Sequence, residues 1–301
     1  RQSYGMLTIG HVPFLWVLLF YFMTGLWIWK KNGQNRHIRI SLAYVIMIIL
    51  IWIPMARRKS LAFLDVGQGD CFVADTKSGA IIFDGGSSSE DQVGRYRILP
   101  YMKYLGYQKI QIAVISHMDI DHYSGIKELL EMGKIKYLGL PEIPKDETMK
   151  KIIGIAKKRG TTIFYLSRGR QITTKDGSLK VLHPQKNSQM EKNAASLVMQ
   201  GKILGYRVLL TGDVEKEGEE ELLSEELERA DILKAAHHGS KNSTSNEFLQ
   251  KVQPKQTVIS CGKQNRYGHP HLETIHRLQT YHTKIYRTDR SGAIIFFKRR
   301  D

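Results

Sequence analysis

The stretch Ser116-His117-Met118-Asp119-Ile120-Asp121-His122 follows directly on the apolar run Ile112-Ala113-Val114-Ile115. A strand that ends in such a loop directs imidazoles and carboxylates into one pocket. Two divalent cations would offset the repulsion between Asp119 and Asp121, which otherwise makes this cluster costly. The alternative is a polar loop with incidental histidines, and it is weakened because similar residues recur after later apolar runs.

The chain of 301 residues is long enough for one large or two small domains and carries a net charge of +16. Residues 1–60 hold eight Lys or Arg and no Asp or Glu, so residues 61–301 keep 37 − 29 = +8. This charge favours polyanionic partners, either nucleic acid or anionic lipid, although a merely soluble basic domain would share it. Cys71 and Cys261 form no zinc-ribbon spacing and leave the redox compartment open.

Two apolar runs near the N-terminus predict transmembrane helices, at about residues 7–29 and 40–55. The first has no charged residue, is long enough to span roughly 35 Å at about 1.5 Å per residue, and ends in Trp27 and Trp29 before two lysines. The second is shorter and borderline for spanning. The alternative, a buried helix pair, fits less well because the first run is apolar on all sides. We expect a multi-pass segment 1–60, whose orientation the basic flanks do not reveal.

Residues 61–301 alternate short apolar runs with Gly, Asp and Ser turns, which predicts many strands with helices between them. Two packed sheets flanked by helices are the expected α/β architecture. The predicted strands are Leu61–Val66, Cys71–Ala74, Ala80–Phe83, Ile112–Ile115, Ile163–Leu166, Leu179–Leu182, Ser196–Met199, Arg207–Leu210, Thr257–Ser260 and Ala293–Phe297. The predicted helices are Leu99–Leu105, Gly125–Gly133, Thr148–Arg159, Glu215–Leu227, Asn246–Val252 and Leu272–Tyr281.

The pattern His117-x-Asp119-x-Asp121-His122 resembles the first metal motif of the metallo-β-lactamase fold, a four-layer αββα sandwich. That superfamily commonly has a histidine where this chain has Asp119. The added carboxylate makes the site harder, which favours Mn²⁺ relative to an all-imidazole site without excluding Zn²⁺. The resemblance implies a site for two divalent metal ions.

Further segments extend the resemblance. The strand ending in Thr211-Gly212-Asp213 places Asp213 where the family has a metal-bridging carboxylate, although a strand-end Asp could equally be a turn residue. Another predicted strand begins at Asp231 and leads into Ala236-His237-His238-Gly239. We expect His238 to complete the second metal site and His237 to orient substrate or donate a proton. The resemblance therefore implies that His117 and Asp119 hold one metal, that Asp121, His122 and His238 hold the other, and that Asp213 bridges them.

Other motif residues are assigned less specific roles. The segments Phe63–Asp70 and Phe83–Gly86 match the start of the same fold, and a dinucleotide fingerprint fails there for lack of a third glycine and a clear helix. Asp65 and Asp84 are more often structural than catalytic. Roles near the metals stay open for four residues: His183, Asn193, Ser196 and His271.

The motifs together resemble the C-terminal domain of the ComEC family of bacterial competence channels, and upstream membrane helices would strengthen the match. The resemblance implies a nuclease that degrades the non-transported DNA strand, with the membrane and other DNA-uptake components as partners. Asp121, Asp213 and His237 would be catalytic. Lys241, Lys263, Arg266 and His269 would contact DNA backbone without sequence specificity, and Lys234 and Tyr267 could add phosphate and base contacts.

Two alternatives stay open at this point. Cell-surface choline-phosphoesterases share the His-x-Asp-x-Asp-His variant, so the substrate could be a small or cell-wall-linked phosphate ester. The third possibility is a non-catalytic module that is stabilised by metals and binds DNA by charge.

Overall fold

A computed structural model describes residues 10–29, 38, 41–47, 58–190, 193–225 and 227–299. The chain divides into two compact units. The smaller comprises Arg1–Arg57 with Lys103–Gln108, and the larger comprises Arg58–Met102 with Lys109–Asp301.

The smaller unit contains helix α1, Phe14–Trp29, which has 16 residues and no charged side chain. Residues 41–47 are also helical. Within the described parts of the chain, no helix has the length and apolar character needed to cross a membrane. The two predicted spans are thus seen only in part, because residues 7–9, 40 and 48–55 lie outside the described residues.

The larger unit is built on two seven-stranded sheets. Sheet 1 has the spatial order β14-β1-β2-β3-β4-β5-β6, and β3 to β6 run parallel. Its strands are β1 Ser60–Phe63, β2 Phe72–Thr76, β3 Gly79–Phe83, β4 Ile110–Val114, β5 Ile135–Pro141, β6 Thr162–Leu166 and β14 Ile294–Phe297.

Sheet 2 repeats this plan with the order β13-β12-β11-β10-β9-β8-β7, and β10 to β13 run parallel. Its strands are β7 Gln171–Thr174, β8 Gly177–His183, β9 Val198–Ile203, β10 Tyr206–Leu210, β11 Ile232–Lys234, β12 Gln256–Ile259 and β13 Lys284–Arg287.

Helices cover the outer faces of both sheets. Those of the larger unit are α3 Ile120–Glu131, α4 Glu147–Lys158, α5 Lys216–Leu223, α6 Asn246–Val252, α7 Leu272–Thr280 and the short α8 Thr288–Ser291, preceded in the chain by α2 Leu99–Tyr104. Leu222, Phe248 and Leu278 pack against sheet 2, and Ile126 of α3 lies against Gly85 beside sheet 1. The helix–sheet–sheet–helix order is the expected one.

The inner faces of the sheets share one apolar core. Leu61, Phe63 and Ile81 of sheet 1 lie in the same cluster as Val208 and Ile232 of sheet 2. Because each sheet is covered on both faces, its central strands are buried on both faces, and this explains why they read as continuous apolar runs.

Strand direction divides the larger unit into two ends. At the pocket end, the carboxyl ends of β1, β3, β4, β10, β11 and β12 lead into the loops at residues 64–71, 84–90, 115–119, 211–215, 235–245 and 260–271. At the far end lie the starts of the same strands and the turns at residues 77–78 and 175–176. The predicted metal motifs therefore all fall at the pocket end.

The sequence missed three strands, β5, β7 and β13, and placed the start of α3 too late. Residues 135–141 combine lysine, tyrosine and glycine with apolar residues, so their pattern lacks a clean period. Helix α3 begins at Ile120, inside the metal motif, because Asp119 takes the extended N-cap conformation.

Candidate metal centre

His122 lies at the centre of the pocket with its two ring nitrogens in different surroundings. The side chain is fully buried in the first turn of α3. Its Nδ1 lies 3.0 Å from Asp84 Oδ2, and Asp84 in turn accepts a hydrogen bond of 2.7 Å from the Ser116 amide through Oδ1. Asp84 thus fixes the ring and directs Nε2 into the pocket.

His238 is held in the same manner from the other sheet. Its Nδ1 lies 2.9 Å from the Ser260 carbonyl oxygen, which can only accept, so Nδ1 carries the proton. Its Nε2 lies 3.3 Å from Asp213 Oδ2, and His122 Nε2 lies 3.2 Å from the same oxygen. Asp213 therefore stands between two imidazoles that come from different sheets.

His117 contributes a third inward-facing imidazole. Its Nδ1 lies 3.0 Å from Ser116 Oγ and 3.3 Å from Ser196 Oγ. Its ring centroid is 4.1 Å from that of His122. Its Nε2 is 3.8 Å from Asp119 Oδ2, so the structure brings this predicted pair together.

The remaining predicted carboxylate, Asp121, is also inside the pocket. Its Oδ2 lies 3.4 Å from His238 Nε2. His122, Asp121 and His238, the predicted second set, are thus neighbours. The side chain of Asp119 is 37% exposed and that of Asp121 is 15% exposed, so Asp119 is the outermost of the predicted ligands.

Asp70 is a site residue whose role the sequence did not reveal. One ligand atom each from Asp70, His122, Asp213 and His238 lie within 4.8 Å of one another. However, Asp70 lies 3.7 Å from the Nδ1 atoms of both histidines, on the side away from Asp213. We therefore interpret Asp70 as a counter-charge behind the imidazoles. In the sequence, only the position of Asp70 directly after Gly67-Gln68-Gly69 indicated that it could belong to the site.

The prediction that Lys234 contacts the phosphate backbone of DNA is wrong. The side chain is only 4% exposed and its Nζ contacts Asp70, lies 3.4 Å from Asp213 Oδ1 and donates to the Gly212 carbonyl at 3.0 Å. A buried ammonium held by two carboxylates cannot reach a DNA backbone. The apolar strand around Lys234 was the signal that its side chain is buried.

The carboxylates strongly perturb the protonation of the site in the absence of metal. Burial opposes a charged imidazole, but Asp213 and Asp84 raise the pKa of His122 well above its usual value. In the same way burial is outweighed by Asp213 and Asp70, which raise the pKa of His238 to about 10. Burial and the charge of His122 lower the pKa of His117 well below its usual value.

The pKa values of the carboxylates that face these histidines are lowered. Burial would raise the pKa of Asp213, but His122, His238 and Lys234 hold it well below its usual value. Burial likewise opposes ionisation of Asp121, and the neighbouring His238 and His122 bring its pKa down to about 2. The pocket therefore favours the ionised forms of Asp213 and Asp121 and balances them with the charges of His122, His238 and Lys234.

Close backbone approach is a condition of this geometry. A Cβ on Gly86 would lie 2.5 Å from both the His122 amide nitrogen and the Ile120 carbonyl oxygen. His237 and His238 both adopt left-handed backbone conformations, with φ of 48° and 52°. Such residues cost about 1–3 kcal/mol each, and they cluster at functional sites.

The donor set fits a divalent metal. The Nε2 atoms of His117, His122 and His238 are buried and, among the described residues, lack a hydrogen-bond partner. Buried polar atoms without partners are costly, and three imidazole nitrogens facing carboxylate oxygens are the ligands that Zn²⁺ and Mn²⁺ accept. A metal bound to these atoms would satisfy all three.

His237 lies at the edge of the pocket. Its Nδ1 is 2.8 Å from Glu215 Oε1, and its Nε2 is 3.9 Å from Asp213 Oδ2. The carboxylate of Glu215 therefore orients the ring toward the centre. The sequence pointed to His237 as a site residue but not to Glu215. Glu215 lies in a run of charged residues, and such a run is typical of the exposed first turn of a helix.

The predicted substrate-binding residues surround the mouth of the pocket. Lys241, Lys263 and Arg266 are exposed, and the Arg266 guanidinium lies 4.9 Å from the centre of the Tyr267 ring. Tyr267 stacks on His269 at a centroid distance of 5.7 Å. Burial, together with the charges of His238 and His237, lowers the pKa of His269 to about 4, so this imidazole is neutral at pH 7.

The residues left open by the sequence surround the pocket. His183 Nδ1 lies 2.9 Å from the Ser196 carbonyl and its Nε2 lies 2.9 Å from Glu221 Oε2, so the ring is oriented toward helix α5. Ser196 Oγ accepts a hydrogen bond of 3.3 Å from the Asp213 amide as well as contacting His117. His271 Nδ1 accepts a hydrogen bond from the Lys241 amide at 3.2 Å.

A groove of about 1640 Å³ adjoins the pocket beside Asp119 and Glu215. Acidic residues outnumber basic ones along it. Its charged lining comprises Asp119, Glu215, Glu217, Glu219, Glu220 and Glu247 together with Lys216, Lys241 and Arg277.

Comparison with known proteins places this fold and site in context. Residues 64–263 match the family model of the metallo-beta-lactamase superfamily. The crystal structure of the metallo-beta-lactamase fold protein YhfI from Bacillus subtilis superimposes with a TM-score of 0.54 over 78% of this chain and 99% of that one, at 12% identity. At that identity the likeness concerns the fold alone.

Curated relatives include ComE operon protein 3 of Bacillus subtilis (strain 168), 35% identical over 285 residues that cover 88% of this chain and 36% of the relative. Competence protein ComA of Neisseria gonorrhoeae is 30% identical over 242 residues, which cover 77% of this chain and 31% of ComA. The chain therefore spans about a third of the length of these relatives.

Proposed function

The chain belongs to the metallo-β-lactamase superfamily and carries a domain of the ComEC type, and we propose that this domain is a metal-dependent nuclease. Its reaction would be the hydrolysis of phosphodiester bonds in DNA without sequence preference. The observation that carries the proposal is the convergence of two buried imidazole Nε2 atoms, those of His122 and His238, on the carboxylate of Asp213, with the buried Nε2 of His117 facing Asp119.

The residues around Asp213 divide into two ligand sets. His117 with Asp119 would hold one divalent ion, and Asp121, His122 and His238 would hold the second, with Asp213 shared between them. Two bound Mn²⁺ or Zn²⁺ ions would supply an activated water at neutral pH and offset charge on the phosphoryl oxygens. Asp84 and the Ser260 carbonyl would keep the Nε2 atoms of His122 and His238 directed inward.

The proposed catalytic residues are Asp121, Asp213 and His237. The two aspartates would act by holding the metal ions beside the reacting phosphate. His237 is suited to proton transfer because Glu215 orients its ring and its Nε2 faces the pocket. With Nδ1 directed at Glu215, the His237 ring would take a proton from the attacking water at Nε2 and pass it to the departing 3′ or 5′ oxygen.

The mouth of the pocket offers both base and phosphate contacts. The stacked rings of Tyr267 and His269 present a flat face on which an unpaired base could lie. Arg266, Lys263 and Lys241 supply positive charge beside that face, which suits a phosphate backbone. Because His269 is neutral at pH 7, its contribution is stacking and hydrogen bonding.

The proposed biological setting is supported by the name of one relative, competence protein ComA, and by the likeness to ComE operon protein 3. We propose that this domain degrades the non-transported strand at a DNA-uptake channel of the cell membrane. Residues 1–60 would form the membrane segment and residues 61–301 the hydrolase domain. Other components of the uptake machinery would then be its partners.

The acidic groove favours a second candidate, a phosphodiesterase for a small or cell-wall phosphate ester that carries a cationic group. The carboxylates along the groove would attract such a group and repel a polyanion. The lining has no aromatic side chain with which to form a cage around a quaternary ammonium, which weakens the case for choline esters.

The test compares DNA with small esters on the full chain in detergent. We expect cleavage of single-stranded DNA with Mn²⁺ or Zn²⁺, none with EDTA, and none with Asp119→Ala. Cleavage of a cationic phosphodiester with indifference to DNA would favour the second candidate. Metal and DNA binding without turnover of any ester would indicate the non-catalytic module and contradict both enzymatic proposals.

A further inference from the structure

The far end of the larger unit collects most of the basic surplus of this domain. Strands β1, β3, β4, β5, β6, β10, β11, β12 and β13 all begin there, and the hairpin turns at residues 77–78 of sheet 1 and 175–176 of sheet 2 contact each other. In that junction the Lys175 amide donates to Ser78 Oγ at 3.0 Å. Both sheets therefore contribute to one continuous surface.

Carboxylates at the far end are few and already paired. Asp75 lies 2.8 Å from Lys59, and Asp176 lies 3.3 Å from Lys298. Asp231 lies 3.0 Å from Lys255, with two arginines also within salt-bridge distance. These pairs neutralise only part of the positive charge.

Ten more cations lie at this end without an ion pair to any described carboxylate. Lys157 and Lys158 end helix α4, where a positive charge favours the helix dipole, so they have a local explanation. Lys136 and Lys284 each lie 5.1 Å from the centre of a tyrosine ring, Lys202 lies near the end of β9, and the other five occupy turns or connections. The ten residues are Lys77, Lys109, Lys134, Lys136, Lys157, Lys158, Arg159, Lys175, Lys202 and Lys284.

We propose that this far-end surface rests on anionic lipid headgroups. The chain enters the domain here, because β1 begins at Ser60 and residues 1–57 precede it with apolar runs and no acidic residue. A lysine near an anionic bilayer surface contributes about 1 kcal/mol, so several together bind firmly at low salt. The partner is the membrane itself.

The location favours lipid over nucleic acid. Strands of three to seven residues separate the two ends, which is about 10–23 Å at about 3.3 Å per residue. A DNA backbone bound at the far end would therefore lie well away from the candidate metal centre. A bilayer needs no access to that centre, and docking this way leaves the pocket end facing the aqueous side, open to a polymer.

The test measures how the full chain partitions onto vesicles of phosphatidylcholine, with and without phosphatidylglycerol. Residues 1–57 can bind both kinds, so the quantity of interest is the anionic-to-neutral ratio. We expect the variant with Lys109, Lys136, Lys158 and Lys284 all changed to Gln to lose at least about tenfold in this ratio at low salt. The matched control changes Lys127, Lys180, Lys186 and Lys216 to Gln, away from the far end, and keeps the ratio.

Two results would overturn the proposal. One is an equal ratio for both quadruple variants. The other is a loss of single-stranded DNA affinity, measured by anisotropy without vesicles, in the far-end variant alone while its vesicle ratio is unchanged, since this would make the far end a nucleic-acid surface. Metal-dependent hydrolysis by the far-end variant stays intact in either case, so failure here is distinct from failure of the nuclease proposal.

A second readout locates the surface directly. Both native cysteines are buried, so a single introduced cysteine can be labelled with a fluorophore. A probe at Lys158→Cys should be quenched by a headgroup-labelled anionic lipid, whereas a probe at Lys216→Cys, at the pocket end, should not. Equal quenching at the two positions would contradict the proposed orientation.

Discussion

The two ends of the same strands treat charge in opposite ways. At the pocket end, the carboxylates of Asp70, Asp121 and Asp213 lie among histidines and a buried lysine that contact more than one of them. At the far end, Asp75, Asp176 and Asp231 are also buried, but each pairs with a cation that reaches it from the surface.

The difference teaches that ion pairing alone does not mark a functional site. What distinguishes the pocket end is the set of imidazole nitrogens that remain unpartnered after all described neighbours have been considered. Carboxylates that pair with cations from the surface stabilise a fold, whereas several buried imidazole nitrogens that face carboxylates in one pocket are prepared for a ligand.

The largest expected effect concerns the shared carboxylate of the pocket. Asp213→Asn removes the charge between His122 and His238 and should lower metal-dependent DNA cleavage by about 1,000-fold, which corresponds to about 4 kcal/mol. Initial rates with Mn²⁺ or Zn²⁺ measure it. The matched variant Asp176→Asn alters a paired carboxylate at the far end and should keep the rate. Equal losses in both variants would show that the two ends do not differ in this respect.

Lys234 gives the next largest effect, on stability. Lys234→Met leaves Asp70 and Asp213 buried without their common cation, which costs about 3–5 kcal/mol in the metal-free protein. Thermal unfolding in EDTA should show a midpoint lower by roughly 10 °C.

The control for Lys234 is Lys255→Met, which removes an exposed partner of Asp231 and should change the midpoint little. Added divalent metal should recover part of the loss in Lys234→Met, because it supplies positive charge to the same carboxylates. If the unfolding midpoint of Lys234→Met does not rise when metal binds, Lys234 does not act through the carboxylates of the candidate centre.

The pH dependence of the metal-free protein sharpens the comparison further. Because the pKa of His238 is raised to about 10, its stabilising charge is fully present below about 6.5 and is lost as the pH rises toward 10. Because the pKa of Asp121 is lowered to about 2, its contribution is present above about 4 and is lost as the pH falls toward 2.

The thermal unfolding midpoint in EDTA should therefore be highest between about pH 4 and 6.5 and should decrease on either side of this range. With metal bound, the histidines are held as neutral ligands and the alkaline decline should be weaker. Metal-free stability that increases from pH 7 to 10 would contradict the proposed protonation of His238.

The smallest expected effect concerns the mouth of the pocket. Tyr267→Leu removes the flat face beside His269 and should weaken single-stranded DNA binding about tenfold, since stacking contributes about 1–3 kcal/mol per base. Anisotropy with a labelled oligonucleotide measures it. Tyr206, with Arg299 over its ring at 4.3 Å, is the matched tyrosine at the far end, and Tyr206→Leu should leave DNA affinity unchanged.

The sequence anticipated the sheets and most of the site because both depend on local patterns. Strands buried on both faces read as apolar runs, and the loops that follow them carry the predicted ligands. The weaker strands β5 and β7 were missed, since their mixed composition lacks a period and their pairing depends on neighbours distant in sequence.

The sequence by itself determined the ligand types around His117–His122, Asp213 and His238, the αββα architecture and the basic character of the domain. Only the tertiary structure decided that Asp70 and Lys234 form a buried pair behind the imidazoles, that Glu215 orients His237, and that the basic surplus lies opposite the pocket. The physical reason is that the chemistry of a residue is given by its identity in the sequence, whereas burial and charge pairing depend on contacts between strands from separate parts of the chain.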